Sequence, residues 1–228
     1  MDISLLEQKI NVKFNNIDLL QQALVHRSYI NENPDFRLDQ NERLEFLGDA
    51  VLELIVTEYL YNNYPNPEGE LTNWRAALVN AKMLAQIAKR LELNNHLFLS
   101  RGEAKDTGRA RQYILANAFE ALIGAIYLDQ GYEAVKNFIE REVLKELPHI
   151  LENQLFRDPK SRFQEMAQEK AGITPSYEVL KEWGPDHAKR FVVGVYLGKE
   201  LVAQGEGNSK QEAQEKAAWE GLKNKKWE

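Results

Sequence analysis

Four carboxylates fall on one face of an otherwise apolar stretch. In Asn41-Glu42-Arg43-Leu44-Glu45-Phe46-Leu47-Gly48-Asp49-Ala50-Val51-Leu52-Glu53, the acids Glu42, Glu45, Asp49 and Glu53 are spaced i, i+3, i+7 and i+11, a single helical stripe. Like charges at such spacings destabilise an isolated helix, and burying them is costly unless something compensates. A second segment, Asn117-Ala118-Phe119-Glu120-Ala121-Leu122-Ile123-Gly124-Ala125-Ile126-Tyr127, is again apolar and carries one amide and one carboxylate three residues apart. Two core-like helices whose few polar residues are oxygen donors suggest a shared hard cation. With no Cys or clustered His among the donors, that cation reads as Mg²⁺, for which Mn²⁺ can substitute. Glu68 and Glu70, in the loop that follows the first helix, offer a further acid. The competing reading of the stripe alone is the solvated face of an amphipathic helix.

Other chemistries find less support. His26, His96, His149 and His187 show neither HxxxH nor HExxH spacing, which argues against zinc. No G-x-x-x-x-G-K-[ST] loop occurs, so nucleoside triphosphate hydrolysis is unsupported. Gly205-Glu206-Gly207 is an isolated GxG in a β-rich context, and Ser28 and Ser100 have no evident base partner. With no cysteine, disulfides and thiolate metal sites are excluded.

The elements that must position these residues divide the chain in two. From Ile3 to about Glu146 apolar residues recur at three- and four-residue spacing, predicting helices. These run over Ile17–Leu24, a long one over 39–61, and further ones over 71–91, 111–129 and 132–147, with breaks at 63–69, 100–108, Gly131 and Pro148. Residues 149–158 read as a connector. A helix over 160–171 then precedes alternating β-branched and aromatic strands over 177–182, 191–197 and 200–204, joined by Gly184-Pro185-Asp186 and Gly198-Lys199. A last helix starts near Ser209, where Ser209 and Glu212 have capping-box spacing. The net charge of −6 resides in the first part, since residues 1–155 sum to −7 and residues 156–228 to +1. That balance is unlike a simple nucleic-acid binder, although clustered metal-binding acids account for it. The N-terminus does not look like a signal peptide, and no run of about 18 apolar residues exists to span a membrane. The expected location is therefore the cytoplasm, with no membrane partner.

At this point the residues resemble a known family. The stretch Asn41–Leu52 is similar to the ribonuclease III signature at nearly every position. His26-Arg27-Ser28-Tyr29, Arg101-Gly102-Glu103 and Ile114–Gly124 agree in order and spacing. The C-terminal part resembles a double-stranded-RNA-binding domain through Asp158-Pro159-Lys160-Ser161, Gly184-Pro185-Asp186-His187, Gly205-Glu206-Gly207, Ser209-Lys210 and Ala217-Ala218. The resemblance implies a multidomain chain with an all-α ribonuclease III endonuclease domain over 1–148, a linker over 149–157 and an α-β-β-β-α double-stranded-RNA-binding domain over 158–228.

The same resemblance implies a homodimeric endoribonuclease for double-stranded RNA that leaves a 5′-phosphate and a short 3′ overhang and processes rRNA and mRNA precursors. Glu45, Asn117 and Glu120 would be metal positions, Asp49 and Glu120 catalytic, and Glu42 and Glu68 ancillary acids at the rim. Phe46 and Leu47 are candidates for dimer packing, with ordinary core packing as the alternative. Ser161, Gln164 and Glu165 would meet one minor groove, His187 the next, and Lys210 the phosphates between, with Arg101 adding a contact from the first domain. Two departures stand out. Asn117 replaces the family's usual Asp, so positions 45, 49, 117 and 120 carry −3 rather than −4, a poorer match to two divalent ions. Gln211 and Gln214 interrupt the usual lysine run, which predicts modest affinity and a shallow salt dependence for this domain. The rival readings are a double-stranded-RNA-binding protein whose cleavage is lost or impaired through Asn117, and a helical scaffold whose acids are merely solvated.

Overall fold

The computed structural model describes residues 3–105, 107–156, 158–185 and 189–227 and divides the chain into two compact units, 1–156 and 157–228. The first is helical: α1 (Ile3–Ile10), α2 (Ile17–Ala23), α3 (Arg27–Glu32), α4 (Glu42–Asn63), α5 (Glu68–Val79), α6 (Ala81–Arg90), α7 (Arg109–Glu142) and α8 (Leu147–Glu152). Helix α7 is its axis. Leu115, Ala118, Phe119, Ala121, Leu122, Ile123, Ala125 and Ile126 have no solvent exposure, and α4, α6 and α2 pack around them. The helix bends at Gly131, whose φ of 80° leaves the helical region.

Two expectations need correction. The single helix predicted over 71–91 is two, α5 and α6, broken at Asn80. That side chain donates to the carbonyls of Ala76 and Ala77 and accepts the Met83 N–H, so it closes one helix while opening the next. The connector expected from residue 149 begins later. Pro148 sits in the first turn of α8, where its missing N–H costs nothing. Leu147 and Ile150 are buried in the first unit, and Phe156 packs edge-on to Trp74.

The second unit is α9 (Pro159–Ala171), β1 (Ser176–Trp183), β2 (Arg190–Leu197), β3 (Glu200–Gly207) and α10 (Lys210–Lys225), with an antiparallel sheet in the order β1-β2-β3. Phe163 and Ala167 of α9 and Ala217, Ala218 and Leu222 of α10 share one core with Val195 and Leu197 of β2. Gly205 admits the backbone of α10 onto β3, because a Cβ there would lie 2.2 Å from the Ala217 nitrogen. The glycine pair that reads as uninformative in sequence is thus a packing requirement. No helix among the described residues is long and apolar enough to cross a membrane.

Candidate active site

Helices α4 and α7 meet backbone to backbone. A Cβ on Gly48 would lie 1.8 Å from the Glu120 carbonyl oxygen, and one on Gly124 would lie 2.3 Å from that of Leu44. No side chain fits either gap. Glu45 and Asp49 each follow an α4 residue at this contact, and Glu120 is part of it. The crossing therefore brings acids 71 or more residues apart in sequence into one electrostatic neighbourhood.

The consequences show in their ionisation. Glu120 is pushed up to about 8, first by burial and then by the charges of Asp49 and Glu45. Glu45 is raised as well, by burial and by Glu42 and Asp49, while a hydrogen bond from the Asn117 amide opposes the shift. Asn117 thus donates to Glu45, where a carboxylate at the same position would repel it. Among the described residues, the one ion pair at these positions is Arg27 with Glu42 at 3.9 Å. Among the described residues, no cation pairs with the inner three carboxylates. No three His, Cys, Asp or Glu side chains among the described residues stand close enough to hold a metal ion by themselves, so the acids form an open set rather than a closed cage.

Glu68 is placed elsewhere. It opens α5, beyond the far end of α4, accepts the Thr72 hydroxyl at 3.4 Å, and lines a pocket of about 430 Å³ with Tyr61, Leu71 and Arg75. Within one chain it stands apart from the rim, whereas Glu42 acts on Glu45 directly. Phe46 is 81% exposed, so core packing is excluded for it. It borders a second pocket with Leu19, Leu47 and Leu128, and Leu47 packs half-buried against the core.

A network that sequence spacing did not reveal holds the loop carrying Arg101. The Ser28 hydroxyl, bonded to His26 Nδ1 at 2.8 Å, accepts the Ser100 N–H at 3.1 Å. The Ser100 hydroxyl accepts the Glu103 N–H, and the buried Arg111 guanidinium donates to the Ala104 carbonyl. Contrary to the sequence expectation, Ser28 has an imidazole beside it, His26. Its hydroxyl is nonetheless engaged by the Ser100 N–H and that of Ser100 by the Glu103 N–H, so both serines brace this loop. Arg101 is exposed, with its N–H bonded to Glu32. His26 is lowered, chiefly by burial, and senses both Glu103 and Glu42, so this loop borders the acidic rim.

On the second unit, Ser161, Gln164, Glu165 and Gln168 line one shallow groove along α9, opposite the buried Phe163 and Ala167. Gln168 continues the strip and was missing from the sequence reading, although its i+4 and i+7 spacing from Gln164 and Ser161 could have found it. Lys210 is exposed in the first turn of α10. Lys216, further along the same helix, is tied to Glu212 at 2.8 Å. His187 lies outside the described residues.

Comparison with known proteins decides the class of this site. The Ribonuclease-III-like family profile matches residues 16–147, and the double-stranded RNA binding motif matches residues 159–225. The chain is 44% identical to Ribonuclease 3 of Pelotomaculum thermopropionicum, covering 96% of this chain and 92% of that one. It is 46% identical to Ribonuclease 3 of Natranaerobius thermophilus, covering 95% and 94%. The chain belongs to the ribonuclease III family.

As a ribonuclease III family member it is an endoribonuclease with a double-stranded-RNA-binding domain. Its first unit is similar to the crystal structure of the nuclease domain of ribonuclease III from Campylobacter jejuni, with a TM-score of 0.58 at 42% identity over 64% of this chain and 97% of that one. Family membership removes the reading of the chain as a purely structural scaffold. The matched nuclease region includes the Gly48–Gly124 crossing, where two residues without side chains allow α4 and α7 to approach.

Proposed function

We propose that this ribonuclease III cleaves double-stranded RNA by a Mg²⁺-dependent hydrolysis, with Mn²⁺ as a substitute, and leaves a 5′-phosphate and a short 3′ overhang. The observation that carries this reading is the approach of α4 to α7, which sets Glu120 among Glu45 and Asp49 with no cation paired to them among the described residues and pushes Glu120 up to about 8. Mutually repelling, partly buried carboxylates are stabilised by a divalent cation. Glu45, Asn117 and Glu120 are the residues to hold it. That set is small because Mg²⁺ retains waters and takes phosphate oxygens from its substrate. When bound, the ion neutralises charge on the phosphodiester and lowers the pKa of the attacking water. Asp49 is exposed at the edge of this group and is the carboxylate available to orient that water. Glu42 adds negative charge at the rim. The substrates we assign are rRNA and mRNA precursors in the cytoplasm.

The working unit is a homodimer, joined through the exposed Phe46 and the apolar pocket beside it. The solved nuclease domain from Campylobacter jejuni is described with a region involved in dimer formation. Two copies would present one acidic group to each strand of a duplex. Phe46→Asp is expected to weaken dimerisation about thirtyfold or more, as for a buried aromatic anchor, while leaving the subunit's thermal midpoint nearly unchanged because the side chain touches little of its own core. Sedimentation across a dilution series measures this, and an unaltered dimer would exclude Phe46 from the interface.

The test of the chemistry is a Mg²⁺ titration against cleavage of a long RNA duplex by the protein and by Asn117→Asp. No cleavage is expected in chelator. The added carboxylate is expected to lower the half-maximal Mg²⁺ concentration by roughly tenfold, the order of one charge acting across a partly solvated site. Cutting in chelator would remove the metal from the mechanism, and an identical Mg²⁺ requirement in both proteins would remove the charge argument at position 117.

A further inference from the structure

The second unit's helix α10 is poor in free cations of its own. Gln211 bonds Glu215, and Lys216 is held by Glu212. Elsewhere in the unit Arg162, Lys189 and Arg190 are paired with Glu165, Glu182 and Glu206. Lys160 and Lys210 differ: no carboxylate stands within ion-pair distance of either among the described residues. Each ammonium instead lies over an aromatic ring of a neighbouring strand, Lys160 at 5.2 Å from Tyr177 and Lys210 at 5.8 Å from Phe191. A ring face attracts a cation without neutralising it, so both heads keep a full charge for an incoming anion.

The position of Lys160 is set from a distance. It belongs to the first turn of α9, yet its ammonium donates to the Gln214 side chain of α10 at 2.7 Å. Gln214 is one helical turn beyond Lys210, on the same face of α10. Lys160 therefore supplies at that turn a cation that α10 does not encode. The nearby acids are committed: Asp158 accepts from the Lys160 and Ser161 N–H groups and the Ser161 hydroxyl, and Glu212 holds Lys216 and the Asn208 N–H.

We infer that Lys160 and Lys210 together form the RNA-backbone clamp of the second unit, with Lys160 binding a phosphate and Gln214 acting as its positioning residue. This rests on the reading that the second unit binds duplex RNA. The observed pairings favour backbone contact over base reading, since two unpaired ammoniums in a row recognise phosphates of any sequence.

The experiment is the salt dependence of binding of the full chain, in chelator, to an RNA duplex of about 20 base pairs, long enough for one such domain. Lys160→Gln is expected to lower the slope of log affinity against log salt by roughly one per lost phosphate contact, and to weaken binding roughly fivefold to tenfold at moderate salt. Lys160→Arg is expected to retain both, and Gln214→Ala to weaken binding about twofold to threefold. Lys160→Met, which keeps the stem over Tyr177, separates loss of charge from loss of packing: thermal midpoints stay level while its slope falls as for Gln. A Lys160→Gln or Lys160→Met protein with the wild-type slope and affinity would overturn the clamp. A wild-type protein with no salt-dependent duplex affinity would instead overturn the duplex-binding reading itself.

Discussion

Glu120→Gln is expected to abolish cleavage and at the same time to stabilise the cation-free protein. The loss follows from removing a charged oxygen donor at the centre of the acidic group. A catalytic cation is worth several kcal/mol of transition-state charge stabilisation, and each ~1.4 kcal/mol is tenfold in rate, so the fall is roughly a thousandfold or more. The gain follows from the ionisation of Glu120. Its folded-state pKa of about 8 lies above its ordinary 4.5, so the folded chain binds this proton more tightly than the unfolded one. Deprotonation therefore favours unfolding. This contribution is absent below about pH 4.5, grows as the pH rises, and is complete above about pH 8. In chelator, the thermal midpoint of the wild type is expected to fall across that window more steeply than that of Glu120→Gln, and Mg²⁺ is expected to restore it most at the alkaline end. Calorimetry at pH 5.5 and pH 8 with and without Mg²⁺ measures both effects. A Gln variant that cuts normally, or one whose midpoint tracks the wild type at every pH, would contradict the assignment.

Gly48→Ala is expected to be severely destabilising. Its Cβ would enter within 1.8 Å of a backbone carbonyl on α7, which cannot swing aside as a side chain does. The helices must separate, at a cost at or above the upper end of the usual overpacking range, about 3 kcal/mol. For a chain of this size that lowers the midpoint by about 10 °C. Cleavage should fall with it, because Glu45 and Asp49 would move away from Glu120. Gly69→Ala is the control: nothing lies within 4 Å of that Cβ, and alanine is the better helix former in α5, so it is expected to be neutral or stabilising by up to about 1 kcal/mol. Equal midpoints for the two variants would show that the α4–α7 contact is looser than its geometry.

Much of this molecule is legible in local spacing. The Glu42–Glu53 stripe, the alternation of the three strands and the Ser209 cap of α10 all follow from residues a few positions apart, where helix and strand periodicities act directly. The cap formed as the spacing predicts, with the Glu212 N–H on the Ser209 hydroxyl, although the Glu212 carboxylate reaches Asn208. The break at Asn80 lies at the edge of that reach, because asparagine competes for backbone partners only when the neighbouring turns offer them.

What the amino-acid sequence determined alone was the chemistry available: oxygen donors on two apolar helices, no thiols, and a small α-β-β-β-α partner unit. Tertiary structure decided which of those groups meet. It drew Asn117 and Glu120 to Glu45 and Asp49 across the Gly48–Gly124 contact, left Glu68 at the other end of α4, exposed Phe46, and brought Lys160 to α10 across 54 residues. The reason is physical: periodicity reports the face on which a side chain lies, whereas the partner of that face is set by backbone approach and packing between segments distant in the chain.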